Sequence, residues 1–143
     1  MDEQTKIYAK FLGSWILIPE SCEYNQGDPP LSGNYHIIDE EGTLTFYMDW
    51  QDAQGVRHEV KFSGIPDGRR VPFNGGELAD ELSVHAISGR ELNSYAFFKG
   101  KELMVAQRQL DETGGGMRVV QLVRLPNGES LVNTSVYRKL MTQ

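Results

Sequence analysis

The chain has 143 residues, one cysteine and a formal net charge of −6. That length fits a single domain able to bury a real core, and the acidity argues against an electrostatic nucleic-acid binder, which needs clustered Lys and Arg. A lone Cys22 excludes an internal disulfide framework and any Cys-rich metal centre.

The acidic start Met1-Asp2-Glu3-Gln4 leads into no apolar run of signal-peptide length. No later stretch approaches the ~20 apolar residues that span a bilayer. A soluble, cytoplasmic chain is the expectation, with neither nucleic acid nor membrane as partner. Ile7, Tyr8, Phe11 and Leu12 recur at helical spacing, so residues 1–12 are expected to hold one short helix. The stretch Phe11-Leu12-Gly13-Ser14-Trp15-Ile16-Leu17-Ile18 begins the first strand, and Trp15 is large enough to plug one end of a barrel. The next segment, Tyr24 to Leu31, carries Gly27 and Pro29-Pro30 and cannot be helical.

From there turn signals recur at short, regular intervals. Asp39-Glu40-Glu41-Gly42, Asp52-Ala53-Gln54-Gly55, Pro66-Asp67-Gly68 and Asn74-Gly75-Gly76 punctuate the first half. Ser88-Gly89-Arg90, Lys99-Gly100-Lys101, Thr113-Gly114-Gly115-Gly116 and Pro126-Asn127-Gly128 punctuate the second. Each supplies Gly, Asn or Asp where a hairpin needs a positive φ. Between them lie short segments rich in Val, Leu, Phe and Tyr, as in an antiparallel meander. About ten strands are too many for a small flat sheet and suit closure. The reading is all-β: a single closed antiparallel up-and-down β-barrel over residues 13–139, in one domain with the N-terminal helix.

Period-2 alternation divides the strands into faces. Leu44, Phe46, Met48 and Trp50 share one face; Val56, His58, Val60 and Phe62 share another, against Arg57, Glu59 and Lys61. Met117, Val119, Gln121, Val123 and Leu125 form a third apolar set, and all three are taken as interior. Ser32 to Ile38 has no decisive alternation. At the far end Val136-Tyr137-Arg138 reads as the closing strand, with the Arg138 guanidinium placed to stack on Trp15 at the barrel end.

These residues carry a resemblance. Gly13-Ser14-Trp15 is similar to the Gly-x-Trp opening of the calycin superfamily, which includes lipocalins and fatty-acid-binding proteins. A longer pattern resembles bacterial lipocalin-like proteins of no assigned function: Tyr24-Asn25-Gln26-Gly27-Asp28-Pro29-Pro30, Pro66-Asp67-Gly68 with Val71-Pro72, Ala79-Asp80-Glu81-Leu82-Ser83, and Val136-Tyr137. The resemblance spans about Phe11 to Lys139 and implies a calycin barrel without catalytic residues. Against fatty-acid-binding proteins the chain departs in three places. Glu23 to Leu31 is too short and Pro-rich for a helical lid. Tyr137 matches the Tyr of their carboxylate-gripping Arg-x-Tyr pair, but Ser135 stands at the Arg. On the strand after Gly100, Gln107 stands at a second ligand-gripping Arg, unless a one-residue slip puts Arg108 there.

With these parities Gln107, Gln121, Ser135 and Tyr137 form a polar cluster inside an apolar barrel. They either bond one another and internal water or hold the polar end of a ligand whose apolar part lies on Met48, Trp50 and Phe62. His58 lies on the same interior face, where a lone His is more often a hydrogen-bonded residue than a metal ligand. No His-x-His spacing supports a metal, and no cofactor is expected. The expected function is binding of a small hydrophobic or amphipathic molecule. The alternatives are a calycin-type enzyme acting on a small phenolic or lipid-like substrate, with Tyr137 and His58 as internal acid–base candidates, and an unliganded structural or dimerisation module.

One breakdown of alternation points outward. Ile16 and Ile18 on the first strand, Val120 and Leu122 on the penultimate, and Val132 and Val136 on the last fall on the solvent side. A monomer rarely exposes so continuous an apolar patch. Either the N-terminal helix covers it or a second copy does, and six aliphatic side chains exceed what one short helix covers. A homodimer through this face is expected.

Overall fold

The computed structural model describes residues 6–24, 28–73 and 79–140. Met1 to Thr5, the Asn25-Gln26-Gly27 part of the Pro-rich loop and the turn expected at Asn74-Gly75-Gly76 lie outside the described residues. Ten strands follow one another: β1 (Gly13–Tyr24), β2 (Ser32–Glu40), β3 (Thr43–Gln51), β4 (Arg57–Gly64), β5 (Val71–Pro72), β6 (Glu81–Ser88), β7 (Glu91–Phe98), β8 (Lys101–Leu110), β9 (Gly116–Arg124) and β10 (Ser130–Lys139). They form one sheet in the order β4-β3-β2-β1-β10-β9-β8-β7-β6-β5, with every ladder antiparallel. This is the up-and-down barrel expected from the turn spacing. Glu41-Gly42 and Lys99-Gly100 make two-residue hairpin loops with φ of 55° and 93°, and 51° and 84°. Both residues of each loop take positive φ, as the tightest hairpin turn demands.

Closure is nearly complete. β1 pairs with β10, so first and last strands join as expected. β4 and β5 are the two ends of the sheet. At one end the loop from β4 to β5 reaches β6, where Asp67 bridges to His85 and the Gly68 N–H donates to the Val84 carbonyl at 2.9 Å. Gly64 makes that approach feasible, since a Cβ there would sit 2.7 Å from a Val84 methyl. Among the described residues, the outer edge of β4 carries no ladder away from this point.

The N-terminal helix is reduced to one 3-10 turn, Ala9–Phe11, with bonds from Ala9 to Lys6, Phe11 to Tyr8 and Leu12 to Ala9. It acts as a plug. Phe11 is 0% exposed and joins Tyr8, Trp15, Ile37, Leu44, Leu92, Leu110 and Met117 in the core. The Trp15 indole N–H donates to the Phe11 carbonyl at 3.0 Å, tying plug to barrel. The cation over Trp15 is Lys139, not Arg138. The register pairs Trp15 with Lys139, so residue 139 shares the face of Trp15 and Arg138 points outward, exposed. The Lys139 ammonium lies 5.2 Å from the indole ring and donates to the Lys10 carbonyl at 3.0 Å. Burial there draws its pKa below the usual lysine value.

Candidate functional site

Antiparallel partners share a face, so the ladders carry the inside of the barrel round from strand to strand. Phe46 pairs with Phe62, Met48 with Val60, and Trp50 with His58. Tyr35 pairs with Met48 and Ile37 with Phe46, which assigns the undecided strand: Gly33, Tyr35 and Ile37 face in. On the other wall Arg108 pairs with Leu92 and Val119, Gln121 with Asn133, and Ser135 with Val119. The register puts Met48, Trp50, Phe62, Gln121, Ser135 and Tyr137 on the inward face. Gln107 does not. It is exposed on the outer face, and Arg108 takes the interior position.

The interior is filled at the plugged end and accessible at the other. Leu44, Ile37, Phe46, Leu92 and Met117 are buried, whereas Met48, Trp50, Phe62, Met104, Gln121, Val123 and Asn133 keep partial exposure on the lumen side. His58 lies at the open end, not in the core. Its side chain is 43% exposed, stacked on Trp50 with 5.2 Å between ring centroids. Its Nε2 lies 2.8 Å from an Asp52 carboxylate oxygen, which draws the Asp52 carboxyl below its ordinary range.

Arg108 is the centre of the site and is 1% exposed. Its Nε donates to the Tyr35 hydroxyl at 2.7 Å, one terminal nitrogen to the Leu92 carbonyl at 3.4 Å, and the other to the Ser94 hydroxyl at 3.0 Å. The guanidinium carbon lies 4.6 Å from the centroid of Phe46 and 5.6 Å from that of Tyr35. Among the described residues no carboxylate pairs with it. A buried cation without a counter-charge is costly, by several kcal/mol after relaxation. Neutral oxygens and an aromatic face offset part of this; an anion with two oxygens would offset more.

Polar groups continue along the same wall. Tyr35 and Tyr137 meet edge to face at 5.3 Å. Burial raises the pKa of the Tyr137 phenol well above its ordinary value and that of Tyr24 more modestly, so both are neutral hydrogen-bond donors at neutral pH. The Cys22 thiol lies 3.7 Å from the Ser135 hydroxyl. Among the described residues no group of three or more His, Cys, Asp or Glu side chains is placed to hold a metal ion.

Sequence reasoning left Arg108 open as the alternative to Gln107 and missed Tyr35, for different reasons. On β8 the even-numbered Met104, Ala106 and Leu110 are apolar, a usable signal, but the charge at Arg108 makes that face look like the solvent side. On β2 both faces carry apolar residues, Tyr35 and Ile37 on one and Ile38 on the other.

On the outside, Leu122 pairs with Val132 and Ile18 with Val136, with Val120 and Ile16 on the same face. All six are only half-buried. Among the described residues the N-terminal turn does not lie over them, because Tyr8 and Phe11 pack into the barrel end.

No family model matches this sequence, and no curated protein sequence matches it. Solved structures do. A zebrafish ileal bile-acid-binding protein complexed with cholic acid superposes with a TM-score of 0.56 at 14% identity, over 92% of this chain and 99% of its own. The odorant-binding protein from bovine nasal mucosa gives 0.51 at 12% identity, over 100% of this chain and 79% of its own. Bovine odorant-binding protein with its natural ligand gives 0.50 at 14% identity, over the same shares of 100% and 79%. At such identities the likeness speaks for architecture alone, and with the ten-strand ladder and the plugged Trp15 end it gives this chain the calycin, lipocalin-like fold.

Proposed function

We propose that the barrel binds a small, largely apolar molecule whose anionic end is held by Arg108, with Tyr35 and Ser94 orienting the guanidinium. The observation that carries this reading is a buried cation without a carboxylate partner among the described residues, facing a half-accessible lumen lined by Phe46, Met48, Phe62 and Trp50. Such a lumen is favourable for an alkyl or ring body, at about 25 cal/mol per Å² of apolar surface removed from water. The bile-acid-binding protein complexed with cholic acid and the odorant-binding protein complexed with its natural ligand share this architecture, which agrees with this reading. Calorimetric titration with dodecanoate and with dodecanol tests it. The acid is expected to bind at least about tenfold tighter, the effect of one charge-assisted hydrogen bond. Equal affinity, or no binding of either, would sink it.

We also propose that two copies associate through the outer face of β9, β10 and β1. The specific observation is that the N-terminal turn is committed to the barrel end, so among the described residues Val120, Leu122, Val136 and Ile18 stay half-accessible.

A further inference from the structure

We infer that the bound molecule is an amphipathic acid that also carries a hydroxyl partway along its length, recognised jointly by Asn133 and Gln121. This rests on the acid-binding reading above and adds a second point of recognition to it.

The argument starts from the rung of the barrel one step nearer the open end than Arg108. There the ladders set Tyr24 opposite Asn133, Asn133 opposite Gln121, and Gln121 opposite Ala106. The two carboxamides are direct cross-strand neighbours on the lumen face, and both are poorly served. The Asn133 carboxamide oxygen is buried and has no hydrogen-bond partner among the described residues. The Gln121 amide donates to the Met104 sulfur at 2.9 Å, a weak acceptor. Buried polar atoms in folded proteins are nearly always paired, so an orphan beside a half-accessible lumen marks a place where a ligand atom belongs.

The chemistry of the two groups specifies that atom. Asn133 needs a donor and Gln121 needs a better acceptor. A hydroxyl is the smallest group that donates once while accepting, and it fits between side chains on directly opposed positions, whose Cβ atoms lie ~5 Å apart. The terminal torsion of an asparagine is soft, so its oxygen turns to the lumen at little cost. An ester or ether oxygen would satisfy Gln121 and leave Asn133 orphaned. A methylene would satisfy neither.

Position follows from the sheet. Arg108 lies on β8 and Asn133 on β10, two strands away and one rung along. Strand spacing and rise put them roughly 10 Å apart across the sheet and about 7 Å along it. The hydroxyl therefore lies well away from the acid group. The body between faces Phe46, Phe62 and Met48, which offer no polar atom to compete.

The test uses the full chain and two probes, stearate and its mid-chain-hydroxylated analogue, titrated by calorimetry. Wild type should bind the hydroxylated acid about tenfold tighter than stearate. Gln121→Met with Asn133→Leu should abolish that preference, read as the ratio of the two affinities within the variant. Gln121→Met alone, which keeps the volume, should weaken the preference even if the double variant fails to fold. A wild type that binds both acids equally overturns the inference and leaves the acid-binding reading standing, since internal water then suffices for the pair. If neither acid binds, both readings fall. A preference that survives in a folded double variant also overturns the assignment to these residues.

Discussion

At Arg108 the cost and the use of a buried charge lie in one side chain. Its hydrogen bonds to Tyr35, Leu92 and Ser94 are all to neutral oxygens. Replacing a buried ion by an apolar residue of similar reach is often neutral or stabilising, because the desolvation penalty goes with the charge. Arg108→Met should therefore melt at or above the wild-type temperature without ligand, while its affinity for dodecanoate falls ten- to a hundredfold, about 1.5–3 kcal/mol for a bond to a charged group. Thermal melts and calorimetry on the same samples check both halves. A variant that melts far below wild type would make Arg108 a structural residue. The same position shows how far a site is legible in a sequence. Alternation reports faces by polarity, and a buried cation on the inner face inverts the signal at its own position. Gln107 and Arg108 could be told apart only by the pairing of β8 with β9, which is tertiary information. At the barrel end the exchange of Arg138 for Lys139 has the same origin, a one-residue register that swaps faces.

Among the elements, the strands and turns were the readable part, because a hairpin needs particular residues at particular places and each leaves a local mark. The plug and the closure are not local. Residues 9–11 make one turn of 3-10 helix, and their stability comes from Tyr8 and Phe11 in the barrel, not from helix propensity. A polar latch adds to this: Asp39 accepts from the Lys6 ammonium at 2.8 Å and the Tyr8 hydroxyl at 3.1 Å. The Lys6 hydrogen bond, with those of the Gly42 N–H and Tyr8, holds the Asp39 carboxyl below its ordinary range. A carboxyl depressed in the folded state contributes its stability above the unfolded value and loses it as pH falls through the folded one. The latch should hold at neutral pH and release under acid, below about pH 4. Hydrogen exchange at residues 8–12 should accelerate there in wild type, and Asp39→Asn should show the faster exchange at every pH. A closure held by Gly64 makes a second prediction. A methyl at that position meets the Val84 side chain at 2.7 Å, so Gly64→Ala should force β4 away from β6. The expected loss is about 1–3 kcal/mol by overpacking, read as a lower urea midpoint with unchanged slope. Val84→Ala in the same chain should recover part of it.

For the whole molecule the unusual feature is that one barrel has two apolar surfaces to account for, the lumen and the outer face of β9, β10 and β1. The lumen has a plug at one end and an accessible polar and aromatic wall at the other. Outside, Ile18 opposes Val136 and Leu122 opposes Val132, so the half-buried aliphatic groups are contiguous across three strands. Arg118 and Arg138 flank the patch toward the plugged end, and Glu23, opposite Thr134, borders it on the β1 side. In the proposed dimer a two-fold axis through the patch would make each copy's aliphatic centre the cover for the other's, with charges confined to the rim where water reaches them. Burying such a face at about 25 cal/mol per Å² gives several kcal/mol before association entropy is met, enough for a dimer at micromolar concentration. Leu122→Glu places a charge at the centre, twice over in the assembled pair, and desolvating two like charges there should leave folded monomer. Light scattering behind size exclusion should give twice the chain mass for wild type and the single chain mass for the variant. The variant should keep its affinity for dodecanoate, because Leu122 faces away from the lumen. A wild type that remains monomeric at high concentration would remove the dimer and leave the barrel's interior chemistry as it stands.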